Sequence, residues 1–215
     1  MEARSVSTLP GLAPPAGERE SLVRRAQFLA RVGLAWHVVE AAVAIAAGAA
    51  AGSIALIGFG ADSLIETMAG IVLLWRFATS RAGSQWAEHR AHRLIAVSFY
   101  ALALYVGFES IRSLASADRP DVSWVGIGLS VVTLAAMPPL ARAKARVAER
   151  LDSAATRSEG RQTMVCAYLS AALLIGLAAN ALAGWWWADP VAALVVAAVA
   201  VNEGRTAWRG EACCH

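Results

Sequence analysis

Charge is scarce in this chain: only 16% of its 215 residues are Asp, Glu, Lys or Arg, against 58% hydrophobic. That balance excludes a soluble single domain, whose interior at this length cannot hide so much apolar surface. It also excludes a disordered chain and leaves no room for a second folded domain beside the apolar runs. The 7 prolines are scattered, and no low-complexity tract is present. Cysteines number 3, with Cys166 inside an apolar stretch and Cys213 next to Cys214 at the tail, so there is no disulfide framework. Residues 1–26 carry Glu2, Arg4, Glu18, Arg19 and Glu20 but no apolar h-region. They therefore read as a mobile cytoplasmic arm rather than a signal peptide. No nucleophile, base and orienting group recur at usable spacing, which argues against an enzyme.

What the chain does have is long apolar runs, reflected in a mean hydropathy of +0.52. Six are separable, at about 28–50, 53–75, 94–114, 122–141, 163–184 and 188–204. The predicted fold is an all-α membrane protein, a bundle of six transmembrane helices over residues 27–208 followed by a short Cys/His tail at 209–215. Gly48 and Gly52 mark a tight turn between the first two spans. Gly184, Trp185, Trp186, Trp187, Asp189 and Pro190 mark another between the last two. Of the 19 Lys and Arg, only Arg112 and Arg119 fall on one side of this arrangement, so the positive-inside rule places both termini in the cytoplasm. An even number of spans requires the same. The net charge of +3 is thus a matter of topology and does not point to nucleic acid. The three tryptophans suit an outer-interface anchor. Residues 142–150 read as an amphipathic extension of the fourth helix lying near acidic lipid.

Ionisable groups inside hydrocarbon are costly and mark polar paths. The first span encloses His37 and Glu40, the second Asp62 and Glu66, the third Glu109, and the sixth opens at Asp189. Asp62 and Glu66 are four apart, which stacks two carboxylates on one helix face near the bilayer midplane. A divalent cation between them would favour the ionised pair, because ligands give up protons to bind metal. His37 and Glu40, at i and i+3, share a face and reach the same region as ligands or as supporting groups. Gln162 and Cys166, again four apart, offer an amide oxygen and a thiolate. Glu109 is assigned to an ion pair with Arg112 and not to the site. Carboxylates with one thiolate favour Zn or a neighbouring borderline metal over Mg or Ca, leaving Fe(II), Co and Cd open.

The second span, running Gly52-Ser-Ile-Ala-Leu-Ile-Gly-Phe-Gly-Ala-Asp62-Ser-Leu-Ile-Glu66, resembles the second transmembrane helix of the cation diffusion facilitator (cation efflux) family. The turn Trp187-Ala188-Asp189-Pro190 is similar to the Trp-Ala-Asp-Pro signature between that family's last two helices. The resemblance implies a proton-coupled antiporter that exports divalent transition metals across the inner (plasma) membrane as a homodimer. It implies a tetrahedral site whose first carboxylate pair maps onto Asp62 and Glu66. The second pair, His or Asp followed by Asp four residues on, falls at about Gln162 and Cys166, where this chain has an amide and a thiol. The family's usual C-terminal cytoplasmic domain is expected to be lacking, so a homodimer forms through the membrane domain. The resulting expectation is efflux of a Zn-like cation in exchange for protons, with no prosthetic group. The alternative is a non-transporting membrane protein that binds metal or a partner through the same bundle.

Overall fold

Six apolar runs become six helices: α1 (Ala16–Ala51), α2 (Ile54–Ala78), α3 (Gln85–Ser116), α4 (Trp124–Leu151), α5 (Ala154–Ala183) and α6 (Ala188–Arg209). The computed structural model describes residues 16–78 and 85–209, and among these there is no strand. Five helical segments are long and apolar enough to cross a membrane, namely Gly17–Ala51, Arg93–Ser116, Trp124–Leu151, Thr156–Ala183 and Ala188–Arg209. The chain is therefore a multi-pass membrane protein. Most of the arm expected over 1–26, and the tail with Cys213, Cys214 and His215, lie outside the described residues.

Several helices run well beyond the apolar windows. α1 starts at Ala16, so the last part of the expected arm is helical, and Glu18 pairs with Arg150 at the end of α4. The stretch between the fourth and fifth apolar runs is also helical, including the extension of the fourth helix read over 142–150. Hydropathy ends a span where charge begins, but a helix ends only where its backbone is capped. Ser123 caps α4, its side chain accepting from the Gly126 N–H at 3.1 Å, and Ser153 caps α5 by accepting from Thr156 N–H at 3.3 Å. Between α4 and α5 only Asp152 and Ser153 intervene, with Asp152 left-handed at φ 48°.

The bundle turns large apolar side chains outward and buries a polar seam within an apolar core. Leu182 is 83% exposed and Leu104 76%, whereas Glu40, Ser130, Thr133 and Ser170 are fully buried. In lipid this is the stable arrangement, because hydrocarbon solvates leucine while polar groups need partners within the protein. α4 packs chiefly on α5, α3 on α6 and α1 on α2. α2 touches α1, α3, α5 and α6, and its Leu56 and Phe59 lie in the core; α5 likewise touches four helices, α1, α2, α4 and α6. Gly48 lets α1 and α2 approach closely: a Cβ there would sit 2.9 Å from the Ile57 backbone nitrogen.

Both expected turns are tight. Gly52, at φ +67°, turns α1 into α2, and Gly184, at φ +64°, closes α5 with its N–H on the Asn180 carbonyl at 3.0 Å. Trp185 and Trp187 stack with ring centroids 5.4 Å apart, both largely exposed. Asp189 is not a free intramembrane charge. It accepts from Ser53 Oγ at 2.5 Å and from the N–H groups of Ile54 at 3.0 Å and Ala55 at 3.4 Å. The first residue of the Asp-Pro turn thus caps α2 from across the bundle, satisfying donors that the helix start leaves open. Glu109 accepts from Arg112 Nε at 2.8 Å, the i,i+3 pair read from sequence.

Candidate metal centre

Four helices bring polar side chains to one place. α1 contributes Trp36, His37 and Glu40 within one turn, α2 contributes Asp62, Ser63 and Glu66, α4 contributes Thr133, and α5 contributes Gln162 and Cys166. Within these sets His37 and Glu40, Ser63 and Glu66, and Gln162 and Cys166 are three or four residues apart, so each of these pairs shares a face. His37, Glu66 and Cys166 form the core of the cluster: one ligand atom from each lies within 4.8 Å of the other two, and all three residues are buried. Imidazole nitrogen, carboxylate oxygen and thiol sulfur make a donor set suited to borderline transition metals.

The unusual feature is what these atoms lack. His37 Nδ1 lies 3.1 Å from Glu66 Oε2 and 3.4 Å from Glu40 Oε2. His37 Nδ1 and Glu66 Oε2 are buried and face each other at ion-pair distance, with no hydrogen bond formed at either atom.

Glu40 is the opposite case. Its Oε1 accepts from Thr133 Oγ1 at 2.5 Å and Trp36 Nε1 at 3.2 Å, and its Oε2 accepts from Ser63 Oγ at 2.9 Å and Cys166 Sγ at 3.5 Å. With four donors it serves to fix its neighbours, Cys166 among them, and has no oxygen left over. Gln162 donates its Nε2–H to Glu66 Oε1 at 2.6 Å, so the amide presents a donor to the carboxylate here and not the oxygen expected of a ligand. Asp62 is 2% exposed and makes no hydrogen bond to a described residue. It feels the charges of Glu66, Glu40 and Glu203 but stands outside the three-residue cluster.

Two residues were not anticipated by the reading of the spans. Glu203, on the last turns of α6, interacts with Gln162 and with the charges of Asp62 and Glu66. Its place just inside the end of the sixth apolar run was the available signal. Thr133 was hidden because hydroxyls are unremarkable in a span, yet Ser130, Thr133 and Met137 recur at helical spacing on the buried side of α4.

A multi-pass bundle with buried, partly unpartnered ligand atoms is the build of a membrane protein that handles a small cation. The chain belongs to the cation efflux family, matching its transmembrane domain over residues 30–209. Members of that family are cation transporters and not enzymes. An uncharacterized transporter of Synechocystis sp. is 26% identical over 160 residues, covering 71% of this chain and 52% of the relative. The chain thus spans about half the length of the curated relative it matches.

Proposed function

We propose that this protein exports a divalent transition-metal cation, Zn(II) or a close neighbour, across the cytoplasmic membrane in exchange for protons. In this reading α2 is the sixth span, both termini are cytoplasmic and the protein works as a homodimer through its membrane helices. The observation that carries the reading is the convergence of ligand atoms of His37, Glu66 and Cys166 within 4.8 Å, all three residues buried and no hydrogen bond formed at His37 Nδ1 or Glu66 Oε2. Three helices that pack on one another supply the ligands, which lets a shift between helices open or close the coordination sphere.

The cation enters the cluster from the cytoplasmic side, and Glu66 and Cys166 release their protons to cytoplasmic water as they ligate. Asp62, one turn along α2, holds a second carboxylate next to Glu66 and completes the charge balance. Glu40 orients Cys166 and His37. When the site faces outward, protons return to the ligands and the metal leaves. Co, Cd and Fe(II) are the other cargoes this donor set accommodates, and Mg and Ca, which prefer all-oxygen shells, are disfavoured.

The test is metal flux in proteoliposomes carrying a proton gradient, over a panel of Zn(II), Co(II), Cd(II), Fe(II) and Mg(II). Wild type is expected to move at least one transition metal with counter-movement of protons, and Glu66→Gln to abolish it. Metal binding at equilibrium without flux would replace this reading with the non-transporting one.

A further inference from the structure

Lys144 is the one Lys or Arg that is buried among the described residues, at 4% exposure. It lies in the part of α4 that sequence assigned to the lipid headgroups. Its Nζ donates to Thr163 Oγ1 at 3.1 Å and stands 3.6 Å from Glu159 Oε2, both on α5. On its other side is Gly33 of α1, where a Cβ would come within 2.9 Å of Nζ. At Gly160 a Cβ would meet the Lys144 Cβ at 3.5 Å, so two glycines frame the side chain. The slot is about one helical turn from the metal cluster, since Gly33 precedes His37 by four residues and Thr163 precedes Cys166 by three. The Lys144 charge acts on His37 and on Glu66.

We propose that Lys144 is a tethered counter-cation that sets how tightly the site holds its divalent ion and so how fast the ion leaves. This rests on the transport reading above. An ammonium has no lone pair and is no ligand. What it supplies is a fixed positive charge about one turn from the cluster, felt by His37 and Glu66, which weakens the hold of the site's carboxylates on a dication enough for it to be released. Glu159, whose side chain is 22% exposed, holds the ammonium in place and offsets part of its charge. Removing the lysine and removing its partner therefore act in opposite directions, an outcome that a packing defect does not produce.

The experiment measures Zn(II) and Co(II) affinity, together with KM and kcat for flux, in the full chain and in Lys144→Met and Glu159→Gln. Lys144→Met is expected to bind metal roughly tenfold more tightly and to turn over more slowly. Glu159→Gln, which leaves the ammonium uncompensated, is expected to bind several-fold more weakly. Unchanged affinity in Lys144→Met, or shifts of the same sign in both variants, overturns the proposal while leaving the transport reading standing. If Lys144→Met does not fold, Glu159→Gln decides alone: weaker binding supports the counter-cation, and equal or tighter binding overturns it. A wild-type protein that binds none of Zn(II), Co(II), Cd(II) and Fe(II) overturns the transport reading itself.

Discussion

α2 carries a carboxylate problem at each of two levels, and the protein solves them differently. At its start, Asp189 from α6 receives three donors and locks the helix to its neighbour. Three turns on, Glu66 receives one hydrogen bond, from Gln162, and its second oxygen is buried with only the His37 imidazole facing it at 3.1 Å and no hydrogen bond formed. Glu40, facing Glu66 from α1, again has both oxygens saturated. Saturated carboxylates hold the bundle together, and the unsaturated one is kept available. The contrast teaches that burial alone does not identify a functional acid in a membrane bundle; an unspent lone pair beside other ligand atoms does.

This division has consequences for stability that separate the two kinds of residue. The largest effect belongs to Glu40→Ala, which strands the fully buried Thr133 hydroxyl, takes the acceptor from the partly buried Trp36 and leaves Ser63 only the Phe59 carbonyl, and is expected to cost about 3–5 kcal/mol. Thermal unfolding in detergent reads it, and a change under about 1 kcal/mol would show that Glu40 is not structural. Asp189→Ala removes the cap from α2 and is expected to cost up to about 2 kcal/mol, with metal affinity retained because the ligands lie further along the helix. Loss of metal binding at unchanged stability would reverse the roles assigned to the two ends of α2.

Cys166→Ser keeps the hydrogen bond to Glu40 and exchanges a soft donor for a hard one. Preference for Cd(II) over Co(II) is expected to fall by about tenfold, equivalent to about 1.4 kcal/mol, in competition binding. An unaltered preference would make the sulfur a packing group. The smallest stability effect is expected for Glu66→Leu, which trades a half-satisfied carboxylate for an apolar side chain of similar size. Unfolding should shift by less than about 0.5 kcal/mol while metal binding disappears. Strong destabilisation would place Glu66 with Glu40 and Asp189 and remove the distinction.

Much of this was legible beforehand. Long apolar runs fix the number and order of helices because a backbone in hydrocarbon has to satisfy its own hydrogen bonds. The carboxylates and the histidine stood out because charge is so rare in those runs, and of the six site candidates His37, Glu40, Glu66, Gln162 and Cys166 do make direct contacts with one another. Their roles were not legible. Gln162 was expected to ligate and instead donates to Glu66, and Asp62 was paired with Glu66 by spacing yet stands outside the three-atom cluster. Spacing places two residues on one face of a helix; it does not say which of them meets the neighbouring helices. Lys144 was misplaced for a related reason, since a basic run looks like a headgroup contact until the partner helix and its glycines are seen.

By itself the sequence determined that this chain is a helical membrane protein, which residues are too polar for lipid, and where the turns fall, because solvation and backbone hydrogen bonding act locally along the chain. Only the tertiary structure decided which buried groups are spent on holding helices together and which are left open. That choice depends on the donors that four separate helices bring within about 3 Å of each oxygen, and hydrogen bonds are lost beyond that range.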